Sequence, residues 1–312
     1  MRRDLKVFLA SPRGFCAGVE RAIRTVEDAL AAHEPPVYVR HEIVHNAHVV
    51  RRLKAMGAVF IENLVDAPDG RPIIFSAHGA PRSAHGAAHA RSMALIDATC
   101  PLVQKVHSET RRHVARGRRV LLVGHKGHPE VEGTMGQAAP GAVILIETAE
   151  DAHAVEPGPG PLAFVTQTTL SVDDARGIIE ILKTRFPAIE GPRKDDICYA
   201  TQNRQNSARA IALRSDMVLV IGSPASSNSC RLVEVARAAG CPRAELVDDP
   251  SGFDLTSLDD VARLGLTSGA SAPEELVEDL LARLAQHFRL TIETVETARE
   301  SVVFKPPLVA AE

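Results

Sequence analysis

The stretch Ala94-Leu95-Ile96-Asp97-Ala98-Thr99-Cys100-Pro101-Leu102-Val103-Gln104-Lys105-Val106-His107 is a short apolar run, a turn ending in a cysteine, and a helical pattern that opens on a proline. It predicts strand, turn, helix. Pro101 suits the first helical position, so Thr99 and Cys100 stand at the mouth of a helix, where free backbone N–H groups favour an anion or a thiolate. The same pattern is read upstream in Val7-Phe8-Leu9-Ala10-Ser11-Pro12-Arg13-Gly14-Phe15-Cys16-Ala17-Gly18-Val19-Glu20, and downstream in Asp195-Asp196-Ile197-Cys198-Tyr199-Ala200-Thr201. Three cysteines distant in sequence therefore share one local context.

Working outward, apolar runs of strand length alternate with helical patterns, which is the signature of parallel α/β units. In such folds ligands bind at the carboxyl ends of strands. Those ends present His45, His78, His128, Thr168, Ser226, Ser227, Asn228 and Ser271 besides the three cysteines. The chain divides into three modules of about 90 residues in a pseudo-threefold arrangement, each with one cysteine loop followed by two polar loops. The expected ranges are 1–97, 98–194 and 195–282, followed by a C-terminal helix and extended tail over 283–312. Joints fall near Asp97 and near Gly191-Pro192-Arg193-Lys194, and Glu156-Pro157-Gly158-Pro159-Gly160-Pro161 reads as a surface turn.

With 312 residues, 45% of them hydrophobic, the chain can build cores without disulfides. Five cysteines, an odd number without close pairs, no cleavable apolar segment after Met1 and no apolar run of 18 residues predict a reducing cytoplasm and no membrane span. A net charge of −3, no tryptophan and only two tyrosines argue against a nucleic-acid surface. The basic run from Arg111 to Arg119 is read as a solvated helix end.

Three cysteines from three modules, none in a C-x-x-C pair, ask for a shared ligand. Structural zinc usually draws paired cysteines from one knuckle, so the spacing disfavours it. A [4Fe-4S] cube takes one thiolate per iron and would leave one iron open. Three unrelated buried cysteines remain an alternative on spacing alone. The neutral donors at loop-to-helix junctions suit a phosphate or diphosphate, and neither a P-loop nor a G-x-G-x-x-G turn is present. Glu130, two residues after His128, is a candidate acid; spacing does not separate it from Glu132. Cys230 and Cys241 stand outside the shared context and are assigned to packing.

Five motifs, taken in order, resemble the 4-hydroxy-3-methylbut-2-enyl diphosphate reductase family over nearly the whole chain. They are Pro12-Arg13-Gly14-Phe15-Cys16-Ala17-Gly18-Val19, Asp97-Ala98-Thr99-Cys100-Pro101-Leu102-Val103, Gly127-His128-Pro129-Glu130-Val131-Glu132-Gly133-Thr134-Met135-Gly136, Thr166-Gln167-Thr168-Thr169-Leu170-Ser171 and Lys194-Asp195-Asp196-Ile197-Cys198-Tyr199-Ala200-Thr201. The resemblance implies a trefoil of three α/β modules around a [4Fe-4S] cluster held by Cys16, Cys100 and Cys198. It implies diphosphate contacts from His45, His78, His128, Ser226, Ser227, Asn228 and Ser271. Glu130 becomes the proton-relay acid in preference to Glu132, and Thr168, with Gln167 beside it, contacts the substrate hydroxyl. The implied reaction is the last step of the methylerythritol phosphate route, giving isopentenyl and dimethylallyl diphosphate, with a ferredoxin or flavodoxin as electron donor. Pro224-Ala225, Cys230 and Ser268 depart from the family pattern. The rival expectation is a non-redox [4Fe-4S] lyase or synthase of the quinolinate synthase type, and a third is a zinc-dependent or metal-free phosphoester-binding protein.

Overall fold

The computed structural model describes residues 2–309. In chain order its elements are β1 (Arg3–Ser11), α1 (Ala17–Ala32), β2 (Val37–Arg40), α2 (Ala47–Ala55), β3 (Ala58–Ile61), β4 (Ile73–Phe75), α3 (Arg82–Ala90), β5 (Leu95–Asp97), α4 (Pro101–Ala115), β6 (Arg119–Val123) and α5 (Pro129–Met135). They continue with β7 (Val143–Ile146), α6 (Ala149–Ala154), β8 (Leu162–Thr166), α7 (Val172–Arg185), α8 (Tyr199–Ala212), β9 (Met217–Ile221), α9 (Ser227–Ala238), β10 (Ala244–Val247), β11 (Arg263–Ser268), α10 (Glu274–His287) and β12 (Phe288–Glu296). Strand pairing is parallel throughout, in three sheets. That is the expected α/β class.

Two compact units contain these elements. The first comprises residues up to Ala17, His45–Val49 and Tyr199–Val303, and its sheet runs β10-β9-β11-β1-β12. Successive side chains of a strand point to opposite faces. Leu5, Val7, Leu9, Leu219 and Leu266 accordingly pack with Leu276, Val277, Leu280 and Leu284 of α10, while Phe8, Ala10, Val218 and Val220 pack with Ile211 of α8 and Leu232 of α9. A sheet buried on both faces explains the unbroken apolar run Met217-Val218-Leu219-Val220-Ile221, which is buried throughout.

The second unit comprises Gly18–Val44, Val50–Cys198 and the chain from Phe304. It holds one sheet of order β3-β2-β4-β5 and another of order β7-β6-β8. Ile73 and Phe75 face Ala84 and Ala88 of α3. On the β6 sheet, Leu121 and Val123 face Ile178 and Leu182 of α7, while Val120 and Leu122 face Val106 of α4 and Val131 of α5.

The residue ranges expected for three modules do not coincide with the sheets. β1 pairs along its whole length with β12, Arg3 opposite Phe288 through Ser11 opposite Glu296, and it also pairs with β11. The first strand of the chain thus belongs with the last third rather than with residues 18–97. The segment expected to be helical beyond Arg283 is helix only to His287 and then β12. Its period-two order, Phe288-Arg289-Leu290-Thr291-Ile292-Glu293-Thr294-Val295-Glu296, is rich in β-branched residues and favours a strand. The last three residues of the expected tail lie outside the described residues. Asp195-Asp196-Ile197, expected as a strand leading into Cys198, is an irregular bend, because the chain has already left the sheet after the single bridge between Glu190 and Ala163.

Candidate active site

The three cysteines stand where the sequence places them, each directly before a helix. Cys16 precedes α1, Cys100 caps α4 with Pro101 at its first position, and Cys198 precedes α8. All three are half-buried, and none of the five cysteines is in a disulfide. Cys230 and Cys241 differ. Burial pushes both of their thiols up, and their sulfurs donate to backbone carbonyls, Cys230 to Pro224 O at 3.3 Å and Cys241 to Ser215 O at 3.6 Å. They behave as packed, protonated thiols.

In the second unit, the loops at strand ends draw Glu130 and Thr168 together. Glu130 lies in the first turn of α5 and is 2% exposed. Its Oε1 accepts from Thr168 N at 2.6 Å and its Oε2 accepts from Thr168 Oγ1 at 2.9 Å. Burial raises the carboxyl from 4.5 to about 7; the Thr168 hydrogen bonds oppose this and the nearby Asp196 charge adds to it. Desolvation outweighs two good hydrogen bonds because the charged form loses all its water. Glu132, the rival in sequence, is exposed on the same helix.

His128 caps α5, its Nδ1 accepting from Glu130 N at 3.1 Å, and its ring meets His78 edge to face with centroids 5.6 Å apart. His78 Nδ1 lies 3.3 Å from Ser76 Oγ. Gln167 accepts from His125 N at 3.0 Å and donates to Thr169 Oγ1 at 2.8 Å, so it holds the loop rather than facing outward. Two cysteine loops are tied into the same framework: Cys198 N donates to Thr168 O at 3.1 Å, and Cys100 N donates to Ala77 O at 3.0 Å beside His78.

The first unit brings together His45, Ser226, Asn228 and Ser271. Ser271 Oγ donates to His45 O at 3.1 Å and lies 3.3 Å from Ser226 Oγ, which caps α9 and also accepts from Ser229 Oγ at 3.0 Å. Ser227 opens the same helix. Asn228 Oδ1 accepts from Ala270 N at 2.9 Å, while its Nδ2 is buried with no partner in the protein. A buried amide donor left unmet is costly. A bound phosphoryl oxygen would satisfy it at a helix N-terminus that already favours negative charge. Cys16 belongs to the same framework, its N–H donating to Ala270 O at 3.4 Å, and Gly14 N donates to Ser268 O at 3.3 Å.

Sequence reasoning missed the contact that fixes α5. Gln137 Nε2 donates to Ala80 O at 3.0 Å and to Gly133 O at 2.8 Å, and its Oε1 accepts from Arg111 at 2.6 Å. A Cβ on Gly133 would meet Ala80 N and Gly79 C at 3.3 Å, so a larger residue would push the helix of Glu130 a few tenths of an ångström from the loop of His78. Gly133 on α5 and Gly136 just after it were the available signal.

The fold is a parallel α/β one with three thiols at helix starts and a separate set of neutral donors at the helix N-termini of its strand-end loops. The LytB protein family matches residues 7–285, and the chain belongs to that family. It is 59% identical over 311 residues to a 4-hydroxy-3-methylbut-2-enyl diphosphate reductase of Phenylobacterium zucineum, covering 99% of each chain. It is 56% identical over 309 residues to one of Paracoccus denitrificans, covering 99% of this chain and 98% of the other. Among solved structures, the E-1-hydroxy-2-methyl-but-2-enyl-4-diphosphate reductase of Plasmodium falciparum superposes with a TM-score of 0.94 at 39% identity, over 97% of this chain and 96% of that one. A second, (E)-4-hydroxy-3-methyl-but-2-enyl diphosphate reductase, gives 0.64 at 30% identity over 90% and 99%.

Proposed function

We propose that this chain reduces 4-hydroxy-3-methylbut-2-enyl diphosphate to isopentenyl and dimethylallyl diphosphate, the last step of the methylerythritol phosphate route. The carrying observation is Glu130: a fully buried carboxyl, raised to about 7 and hydrogen-bonded to Thr168, is poised to give a proton near neutral pH. The family match and the reductase names of its relatives support this reading over a non-redox lyase.

The fit of an iron–sulfur centre rests on the donor set. Cys16, Cys100 and Cys198 each sit at a helix start, and among the described residues no three His, Cys, Asp or Glu side chains are grouped to hold a single metal ion. A four-iron cube takes one thiolate per iron and needs no such grouping. Held by these three thiols, a [4Fe-4S] cluster would supply an electron store and a Lewis-acidic iron.

The rest is done by side chains. His45, His78, His128, Ser226, Ser227, Asn228 and Ser271 bind the diphosphate and orient the terminal hydroxyl toward Thr168. The Thr168 hydroxyl donates to Glu130 when that carboxylate is ionised and can turn to accept when it is protonated, so a proton passes from Glu130 to the leaving oxygen. In the balanced reaction the allylic C–O bond breaks, water leaves, and two electrons and two protons enter. One proton goes to oxygen and the other to either end of the allylic system, giving the two products. A ferredoxin or flavodoxin is the proposed donor and the cytoplasm the proposed compartment. No described helix is long and apolar enough to cross a membrane.

The test is anaerobic turnover with reduced viologen and 4-hydroxy-3-methylbut-2-enyl diphosphate, following both viologen oxidation and products. The expected result is one C5 diphosphate product per two electrons. Substrate conversion without electron consumption would overturn the reading in favour of the lyase.

A further inference from the structure

Each cysteine loop is held by a buried or half-buried cation, and the three cations follow one rule. Arg204 is fully buried; its guanidinium donates to Gly14 O at 2.7 and 2.9 Å and to Phe15 O at 2.9 Å, just before Cys16, and it pairs with Glu300 at 2.9 Å. Arg21, 8% exposed, donates to Ala98 O at 2.9 Å and Thr99 O at 3.0 Å, just before Cys100, and to Lys305 O at 2.9 Å. Lys105 donates to Lys194 O at 2.7 Å and Asp195 O at 3.3 Å and pairs with Asp196 at 2.8 Å, just before Cys198.

The cations come from the helices that the other cysteines start. Arg21 lies five residues after Cys16, Lys105 five after Cys100, and Arg204 six after Cys198. The helix after Cys16 thus holds the loop of Cys100, the helix after Cys100 holds that of Cys198, and the helix after Cys198 holds that of Cys16. The order closes on itself.

We propose that Arg21, Lys105 and Arg204 are positioning residues that preset the three cysteine loops for a shared iron–sulfur ligand, and that Arg21 also offsets its negative charge. This rests on the reading of Cys16, Cys100 and Cys198 as the ligands. A guanidinium fork across two successive carbonyls fixes the peptide planes that precede the thiol, which a single hydroxyl or amide would not. Three thiolates bring three negative charges into half-buried ground; Arg204 and Lys105 already balance Glu300 and Asp196, so Arg21 is the cation whose charge lowers that cost and favours the reduced, more negative state. Arg21 makes the case most simply, because its hydrogen bonds go to backbone carbonyls alone.

The experiment uses anaerobically loaded protein and measures iron release to a ferrous chelator and the midpoint potential by an EPR redox titration. The variants are R21Q, R21K, R204K, the charge-balanced pairs R204Q/E300Q and K105Q/D196N, and R263Q as an exposed control. Expected results are iron release at least tenfold faster and a lower midpoint in R21Q, faster release with an unchanged midpoint in R21K and R204K, and no change in R263Q. Release and midpoint equal to the parent in R21Q and in both pairs, while C100S loses its iron, would overturn the clamp and leave the ligand reading standing. Should R21Q fail to fold, parental release rates in R21K and R204K would overturn it instead. Full iron in C16S, C100S and C198S would overturn the ligand reading itself, and the clamp with it.

Discussion

Replacing Glu130 by Gln keeps the side chain's size and its contacts with Thr168, since an amide can accept from Thr168 N and donate to Thr168 Oγ1, but it removes the proton. Two consequences follow, with magnitudes set by the burial of the carboxyl. Loss of a positioned general acid costs ~10²–10⁴ in rate, so E130Q is expected to lose at least about a hundredfold in kcat with little change in KM. The second concerns stability. A carboxyl raised from 4.5 to about 7 favours folding while protonated; this contribution is fully present below about pH 4.5 and is lost as pH rises through about 7. At 1.36 kcal/mol per pKa unit the full span is about 3 kcal/mol, of which ~2.5 kcal/mol falls between pH 5 and pH 8. The Gln variant does not titrate there, so its stability relative to the parent improves across that range by the same amount, or about 4 °C in Tm for a chain of this length. The assays are viologen-linked turnover and anaerobic thermal unfolding of parent and variant at both pH values. Parent activity itself is expected to fall as pH rises through about 7, where the acid is spent. A rate for E130Q within threefold of the parent, or a Tm difference that does not move with pH, would refute the assignment. E132Q is the control and is expected to stay within threefold, because Glu132 is exposed.

The other expectations are as follows. C16S, C100S and C198S each lose iron and activity, whereas C230A and C241A keep both; anaerobic iron analysis decides, because thiolates bind iron far better than hydroxyls do. H45A, H78A and N228A each weaken substrate binding by about 1.5–3 kcal/mol, roughly ten- to a hundredfold by calorimetry, with iron content unchanged. Parental affinity in all three would move the anion site elsewhere. In G269A the new Cβ would collide with Ser229 Oγ, displacing the side chain that bonds Ser226; KM is expected to rise more than kcat falls, and an unchanged KM would contradict this.

Much of the candidate site was legible as positions, because its residues stand at the ends of strands and starts of helices, where local chemistry leaves a mark. Pro101 announces the helix behind Cys100, and His128-Pro129-Glu130 announces the helix that carries Glu130. The choice between Glu130 and Glu132 was not readable from spacing, since it depends on which side of a short helix faces the protein. Only burial separates them. The place of β1 was hidden for a related reason: parallel pairing with β12 joins residues nearly the whole chain apart, and a strand's own sequence does not say which partner it takes. β12 itself was legible in the alternation from Phe288 to Glu296 but was read as part of a helical tail. The cations that hold the cysteine loops left a signal in their near-constant offset from Cys16, Cys100 and Cys198. It is visible only when the three contexts are aligned on the cysteines and read past the first helical turn.

Mössbauer spectroscopy of ⁵⁷Fe-loaded protein, with and without 4-hydroxy-3-methylbut-2-enyl diphosphate, tests most directly the claim that Cys16, Cys100 and Cys198 hold a four-iron centre with one iron left for substrate. The account predicts iron in a three-to-one ratio, with the minority component alone shifting when substrate is added. Four equivalent irons unmoved by substrate, or the absence of an iron–sulfur signal after anaerobic loading, would contradict it.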